Sequence, residues 1–410
     1  MKKLTELFPA LSEIELADDD PRSQLFCAPE LLAGARPIPH PAFKAVRSQL
    51  FSAVKAFPLT LLLGVTGVGK SRLLALLVDR LNARLGEDGR IPAVFLVAPT
   101  AQRTVFSWKA FWERLLAALA DPSPQHKIHP HAHAAALRGK APRRMRWTTE
   151  SQYFEMVLDA AAHRGLVVLV IDEAAALARS ESGVTLFDQI NVLRELVDTQ
   201  LFRIVLASTF DILPHFRRSG VLARRLGTVV FPRYDEVLYP HPDAASSRSI
   251  DRTAEGYLAF SRAAVSFMAR LPEPARLAFD DDHLAALYRG SLGCVGLLHD
   301  WFLRAVAECL TSGEDRLRWS HFASTPLAVD TRANIIFEAR AAEEQLALLG
   351  NVRLDLTEDD LYEIGAAQAK RDRSSARSRR VRSRRSGSAR SNNSKRPRPG
   401  VPNPKVTPLP

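Results

Sequence analysis

Pro58-Leu59-Thr60-Leu61-Leu62-Leu63-Gly64-Val65-Thr66-Gly67-Val68-Gly69-Lys70-Ser71 is the stretch that decides how this chain reads. Residues 58–63 form an apolar run short enough for a buried strand, and from Ser71 to Leu85 leucines at 73, 74, 76, 77 and 81 follow the spacing of a helix packed on a sheet, with Gly86 marking its end. A glycine-rich turn between such elements lets backbone N–H groups converge on phosphate oxygens. The helix N-terminus adds partial positive charge there, and the lysine reaches the β- and γ-phosphates. The parts are Gly64, Gly67, Gly69 and Lys70, within a nucleotide-contacting run of Gly64, Val65, Thr66, Gly67, Val68, Gly69, Lys70, Ser71 and Arg72. The Ser71 hydroxyl is placed to ligate Mg²⁺, a cation that prefers hard oxygen ligands. ATP and Mg²⁺ are the expected cofactors, and Mg-dependent hydrolysis of ATP to ADP and phosphate is the expected activity.

Outward from this unit, buried-strand candidates at Ala93–Val97, Leu166–Ile171, Ile204–Ala207 and Val229–Phe231 alternate with helical stretches, which argues a parallel α/β sheet flanked by helices. The run from Leu166 to Ile171 delivers Asp172 and Glu173 to its C-terminal end, the edge where parallel sheets bind ligands. Asp172 is expected to hold Mg²⁺ through water, and Glu173 to orient or deprotonate an attacking water. The strand Ile204–Ala207 ends in Ser208-Thr209, so either hydroxyl could sense the γ-phosphate or simply cap the next turn. In Leu222-Ala223-Arg224-Arg225-Leu226, Arg225 and then Arg224 are candidates to reach a neighbouring subunit's nucleotide; the competing reading is a solvated helix end.

The formal charge of +11 is not spread over the body. From Lys370 to Pro410 there are 14 basic residues against the single Asp372, leaving 42 basic and 44 acidic residues upstream. The Arg/Ser-rich stretch 371–398 has almost no large apolar residues to offset ordering entropy, so a disordered basic tail is expected over 370–410. The organisation reads as a partner-docking lead-in over 1–40, a phosphate-loop domain over 41–234, a smaller all-helical domain over 235–350, a linker over 351–369 and the tail. A Pro-rich basic insertion occupies 121–147. Its histidines at 126, 129, 131 and 133 lack carboxylate or cysteine partners and do not suggest zinc. Trp108, Phe111, Trp112, Leu115 and Leu119 share one helical face and read as core. No apolar run approaches the roughly 20 residues a membrane-spanning helix needs, no secretory leader is evident, and Cys27, Cys294 and Cys309 show no CxxC spacing. A reducing, cytoplasmic location is expected.

With these elements in this order the sequence resembles the AAA+ ATPases, and more narrowly the TnsC/TniB group of transposition regulators. The narrower likeness rests on Gly64–Arg72, Val170-Ile171-Asp172-Glu173-Ala174, Asn191-Val192-Leu193-Arg194-Glu195-Leu196, Ala207–Leu213, Leu222–Arg225 and Gly293-Cys294-Val295-Gly296-Leu297-Leu298-His299-Asp300-Trp301. The resemblance implies a P-loop AAA+ sheet with a helical lid. It also implies a homo-oligomer, ring or filament, which assembles on double-stranded DNA with ATP bound and connects a target-selector protein to the transposase. Hydrolysis would drive disassembly. The family's usual Gly-Thr sensor is Ser208-Thr209 here, which makes Thr209 the better sensor candidate. Leu297-Leu298 stand where a lid arginine is common, so no lid sensor is expected. Other AAA+ DNA machines, such as helicase loaders or initiators, and oligomerising signalling or defence NTPases are the alternatives.

Overall fold

A computed structural model of the chain describes residues 38, 40–99, 106–120, 149–178, 186–213, 216, 224–234, 238–240 and 248–350. The insertion 121–147, the linker, the tail and the lead-in up to residue 37 lie outside the described residues. The chain divides into two units, Met1–Glu344 and Gln345–Pro410. The packing and the site described below belong to the first.

Five parallel strands form the sheet, in the order β2-β3-β4-β1-β5: β1 Leu59–Leu63, β2 Ala93–Val97, β3 Val168–Asp172, β4 Arg203–Ser208 and β5 Leu226–Val230. β1 lies between β4 and β5, and all five of its residues are buried, which is why it reads as a continuous apolar run rather than an alternating one. Flanking helices are α1 Pro41–Ala56, α2 Lys70–Leu85, α3 Trp108–Ala118, α4 Glu150–Arg164 and α5 Leu186–Asp198. Register fixes what meets at the C-terminal edge. Leu63 is level with Ser208 on one side and Val230 on the other, and Val97 is level with Asp172.

The aromatic stripe of α3 is core, as expected. Trp108, Phe111, Trp112 and Leu115 are buried, and Trp112 meets Phe154 of α4 edge-on with ring centroids 5.7 Å apart. α4 carries its own start and stop signals. Thr149 and Gln152 form a capping box, and Gly165 ends the helix in the left-handed region. The edge strand β2 is pinned by a side chain: Asn82 of α2 donates from Nδ2 to the Ala93 carbonyl at 3.0 Å, while its Oδ1 accepts from the Ala93 N–H at 2.9 Å. One amide thus satisfies both backbone groups of a residue at the sheet margin.

Beyond β5 the chain passes through Phe231–Tyr234 into the helical region, made of α6 Glu255–Met268, α7 Asp281–Ser291, α8 Val295–Thr311, α9 Trp319–Ser324 and α10 Val329–Gly350. Its core joins Phe260, Phe302 and Phe322, and the Trp301 indole donates to the Phe322 carbonyl at 3.0 Å. A short antiparallel pair, β6 Leu238–Pro240 and β7 Arg248–Ile250, precedes these helices within the stretch 235–350 read from the sequence as all-helical. Three-residue strands are too short to show periodicity, and Pro240 suits only a strand end or sheet edge.

Tyr234 ties this region to the sheet domain. Its N–H donates to the Gly293 carbonyl at 3.0 Å, its carbonyl accepts from the Tyr288 hydroxyl at 2.6 Å, and its own hydroxyl meets His40 Nδ1 at 2.8 Å. Gly293 has φ 71°, and a Cβ there would lie 2.0 Å from the Tyr234 carbonyl oxygen. Gly293→Ala is therefore expected to lower unfolding stability by at least about 2 kcal/mol, through backbone strain and displacement of this joint. A denaturant midpoint indistinguishable from wild type would show that the close approach is dispensable.

Candidate nucleotide-binding site

The loop between β1 and α2 is shaped by two glycines in the left-handed region, Gly67 at φ 80° and Gly69 at φ 107°. At Gly67 this turns the peptide so that its carbonyl faces the helical region, where it accepts from the N–H groups of Gly296 at 2.7 Å and Leu297 at 3.3 Å. These belong to the first turn of α8, whose leading N–H groups have no partner inside the helix. Space is equally decisive. A Cβ on Gly67 would stand 2.5 Å from Leu297 Cγ, and one on Gly296 would stand 2.4 Å from the Gly67 oxygen. The lid helix and the loop touch backbone to backbone.

Lys70 Nζ donates to the loop carbonyls of Gly64 at 2.8 Å and Val65 at 3.1 Å. Burial lowers its pKa, and Glu173 and Asp172 are near enough to oppose that shift. The lysine and the two carboxylates thus share one electrostatic environment. Asp172 is buried at the end of β3, with Oδ1 accepting from the Glu173 N–H at 2.9 Å. Glu173 is exposed and holds φ 54°, an unusual conformation for a residue with a side chain. Such strain gathers at functional positions.

β4 lies between β3 and β1, so Ser208 sits at the strand edge between the carboxylates and the loop. Its hydroxyl is buried without a hydrogen-bond partner, whereas the Thr209 hydroxyl donates to Asp211. Sequence reasoning preferred Thr209; it could not see that neighbouring chemistry already engages this hydroxyl.

Residues 57–214 match the family model described as AAA domain. This segment is similar to AAA domains in sequence. Among solved structures, the chain resembles a Walker-type ATPase of Pyrococcus abyssi at 17% identity, with a TM-score of 0.43 over 81% of this chain and 91% of that one. It also resembles the Aeropyrum pernix ORC2 protein in its ADPNP-ADP complexes (13% identity, TM-score 0.45, 72% and 70% covered). A third likeness is to Cdc6p from Pyrobaculum aerophilum (13%, TM-score 0.46, 70% and 67%). No curated protein matches the chain.

Beside the loop between β1 and α2 lies a cavity of about 200 Å³. Val68, Gly69 and Arg72 form its floor, Ile38, His40 and Phe43 one wall, and Phe267, Arg270, Val295, Gly296 and His299 the roof. Ile38 and His40, from the end of the segment read as a lead-in, are thus part of the site, and the roof comes from α8 and the end of α6. Sequence reasoning missed these residues because only tertiary packing gathers them. The one visible signal was the Gly293–Trp301 motif.

The two candidate arginines do not join the site in their own protomer. Arg224 and Arg225 precede β5, whose first residue, Leu226, is level with Leu59, the start of β1, so they lie at the sheet edge opposite the phosphate loop. Arg225 is paired with Asp198 at the end of α5, and Arg224 is exposed. Arg233 is unavailable to a neighbour. It is nearly buried in a two-pronged pair with Glu343, at 2.7 and 3.0 Å, and donates to the Leu292 carbonyl. No group of three or more metal-ligating side chains and no helix long and apolar enough to cross a membrane occur among the described residues. The four histidines of the insertion lie outside them.

His40 illustrates how the wall is held. Its Nδ1 accepts from the Phe43 N–H at 3.4 Å and faces the Tyr234 hydroxyl at 2.8 Å, roles that require a neutral ring, and burial pushes its pKa down to about 4. As pH falls from 6.5 toward 4 the unfolded chain takes up a proton that the folded one refuses, so stability drops across that window. His40→Gln should flatten the decline by up to about 1.4 kcal/mol per pH unit. Parallel stability-versus-pH curves for the two proteins would refute this assignment.

Proposed function

We propose that this protein is an ATP-timed switch, hydrolysing ATP on a site completed by a neighbouring copy, and that it acts on DNA as a regulator of transposition. The observation carrying the reading is the convergence of Lys70, the buried Asp172, the exposed Glu173 and the orphaned Ser208 hydroxyl at one strand edge, beneath a lid that rests on the phosphate loop. The residues present fit MgATP: loop amides and Lys70 for phosphate oxygens, Ser71 and Asp172 as hard oxygen ligands for Mg²⁺. When bound, Mg²⁺ neutralises charge on the phosphate oxygens.

Glu173 is assigned to position and deprotonate the water that attacks the γ-phosphorus as ADP leaves. A hydroxyl of Ser208 or Thr209 is assigned to hold that water in line. Ser208 is favoured over the sequence choice of Thr209, because its donor is uncommitted. Arg225 supplies, from a neighbour, the charge that stabilises the transferring phosphoryl group, with Arg224 as second choice. In a lone protomer the arginine is held by Asp198, so turnover reports assembly.

The DNA-bound reading rests on the sequence resemblance and on the tail of 14 basic residues, which would neutralise phosphates without reading bases. Double-stranded DNA, further copies of this chain, a transposase and a target selector are the proposed partners. Imaging the purified chain with duplex DNA and a slowly hydrolysed ATP analogue is the direct test, and absence of an ATP-dependent oligomer on DNA would sink the proposal.

Lys70→Ala is expected to abolish nucleotide binding. Glu173→Gln is expected to keep binding, lower turnover by at least about a hundredfold and leave the assembly persistent. Wild-type turnover by Glu173→Gln would remove the role given to that carboxylate. Arg225→Ala should lower turnover of the assembly by about a thousandfold while leaving ATP affinity within about twofold. Full turnover by that variant would mean the trans-acting group lies elsewhere. Deleting residues 370–410 should weaken DNA binding chiefly at low salt, and an unchanged salt slope would assign the tail another task.

A further inference from the structure

At the sheet edge opposite the phosphate loop, the starts of β3, β4 and β1 lie side by side. The Arg203 N–H donates to the Val167 carbonyl at 2.8 Å, and the Ile204 N–H to the Pro58 carbonyl at 2.9 Å. Along this edge Val167 before β3, Leu201 before β4 and Phe57 before β1 are 42%, 44% and 36% exposed. Single exposed apolar residues are ordinary, but a row on three neighbouring strand starts marks an interaction surface. The turn that carries Leu201 is a built one. Gln200 holds φ 56°, in the left-handed region that a side chain disfavours. Thr199 Oγ1 donates to the Leu196 carbonyl at 2.7 Å and accepts from the Leu201 N–H at 3.4 Å.

Charge decides what covers the row. Arg194 and Arg225 both reach Asp198, and Arg224 is exposed beside them, so the edge near β5 is basic. At the other edge of the sheet Glu173 and Asp211 are exposed, and Val97, which ends β2 level with Asp172, is 48% exposed. Two copies meeting through the same edge would set arginines against arginines. The strand starts of one copy against the strand ends of another set arginines against carboxylates, and offer the row an apolar counterpart in Val97. Resting on the reading of Arg225 as trans-acting, we propose that Phe57, Val167 and Leu201 seat one copy of the chain on the phosphate-loop edge of the next. The row supplies apolar area, and the arginines select the edge it meets. A contact between unlike faces repeats, so it builds a ring or a filament.

Sedimentation velocity of the full chain, with a slowly hydrolysed ATP analogue and with or without duplex DNA, tests the seat. Leu201→Glu and Val167→Glu, both at exposed positions, are expected to keep the thermal midpoint of wild type. Each should weaken self-association at least about tenfold, because a carboxylate would then face the neighbour's carboxylates. Should a glutamate variant prove less stable, Leu201→Ser must still weaken association by at least about threefold. Val97→Arg carries the change to the opposite edge, where it meets arginines, and should fail alone in the same way. An equimolar mixture of Leu201→Glu and Val97→Arg keeps one intact pair of unlike faces and should give a dimer and nothing larger.

Wild-type association by Leu201→Glu and Val167→Glu would overturn the proposal. So would a loss in Leu201→Glu with none in Val97→Arg, which indicates pairing of like faces, and so would a mixture that stays monomeric. The row and the trans-acting arginine fail separately. If Leu201→Glu assembles as wild type does while Arg225→Ala loses turnover in the assembly, the row is refuted and the arginine stands. If Leu201→Glu fails to assemble while Arg225→Ala keeps full turnover, the row stands and the arginine reading falls. A wild type that never self-associates refutes both.

Discussion

The Gly67 carbonyl, accepting two N–H groups from the first turn of α8, is the contact on which the rest of the site depends. A phosphate loop must turn its N–H groups inward to bind anions, and that same turn throws carbonyls outward. In this protein one such carbonyl is met by a helix N-terminus with donors to spare, so the two backbones satisfy each other. The contact fixes the height of the lid above the loop, and thereby the depth of the cavity that Arg270, Val295 and His299 roof over. Gly67 and Gly296 leave no room for a side chain between them, so the spacing is set by backbone and cannot relax by rotamer change.

Tyr234 extends the same constraint to the other side of the cavity. It is hydrogen-bonded to Gly293 and Tyr288 in the lid and to His40 at the start of α1, while Phe231, three residues earlier, lies within 3.9 Å of a Cβ built on Gly69. Loop, lid and first helix are therefore held by one short segment following β5. A shift of the lid cannot leave the His40 wall undisturbed, because both hang on the same tyrosine. The buried Arg233–Glu343 pair carries the linkage one step further, to α10. Its geometry is two-pronged, and removing Glu343 would leave the buried Arg233 guanidinium without its carboxylate.

Sequence reasoning recovered the sheet well, because its signals are local. The buried run Leu59–Leu63, the carboxylates after Ile171 and the leucine spacing of α2 each depend on residues within one element. The expected parallel sheet and helical lid are what the structure contains. The phosphate loop and Asp172-Glu173 were legible for the same reason. The walls of the cavity were not, since Ile38, His40 and Phe267 are brought to the loop and Arg72 only by packing. Which of Ser208 and Thr209 carries an uncommitted hydroxyl depends on a hydrogen bond to Asp211 that an apolar-strand pattern cannot encode. The pair β6 and β7 was missed because six residues in two strands carry no period.

The departures from ordinary folding preference gather in one place. Glu173 holds a left-handed conformation, Ser208 buries an unpaired hydroxyl, Lys70 is held in a poorly solvated position, and His40 and Cys294 are kept neutral by burial, the latter with its pKa pushed up to about 12. The left-handed Glu173, the unpaired Ser208 hydroxyl and the desolvated Lys70 are unfavourable in themselves and are maintained by the buried β1 and β4 on which the edge rests, β4 being buried beyond Arg203. An anion entering the site would add a counter-charge beside the poorly solvated Lys70. The free energy so released is available only while loop and lid stay joined. Under the proposed nucleotide reading, binding and lid position would be linked by the same contacts, and whatever loosened the lid would weaken the nucleotide by an equal factor. That reciprocity would give the proposed hydrolysis a means of turning the state of the nucleotide into the shape offered to a neighbouring copy.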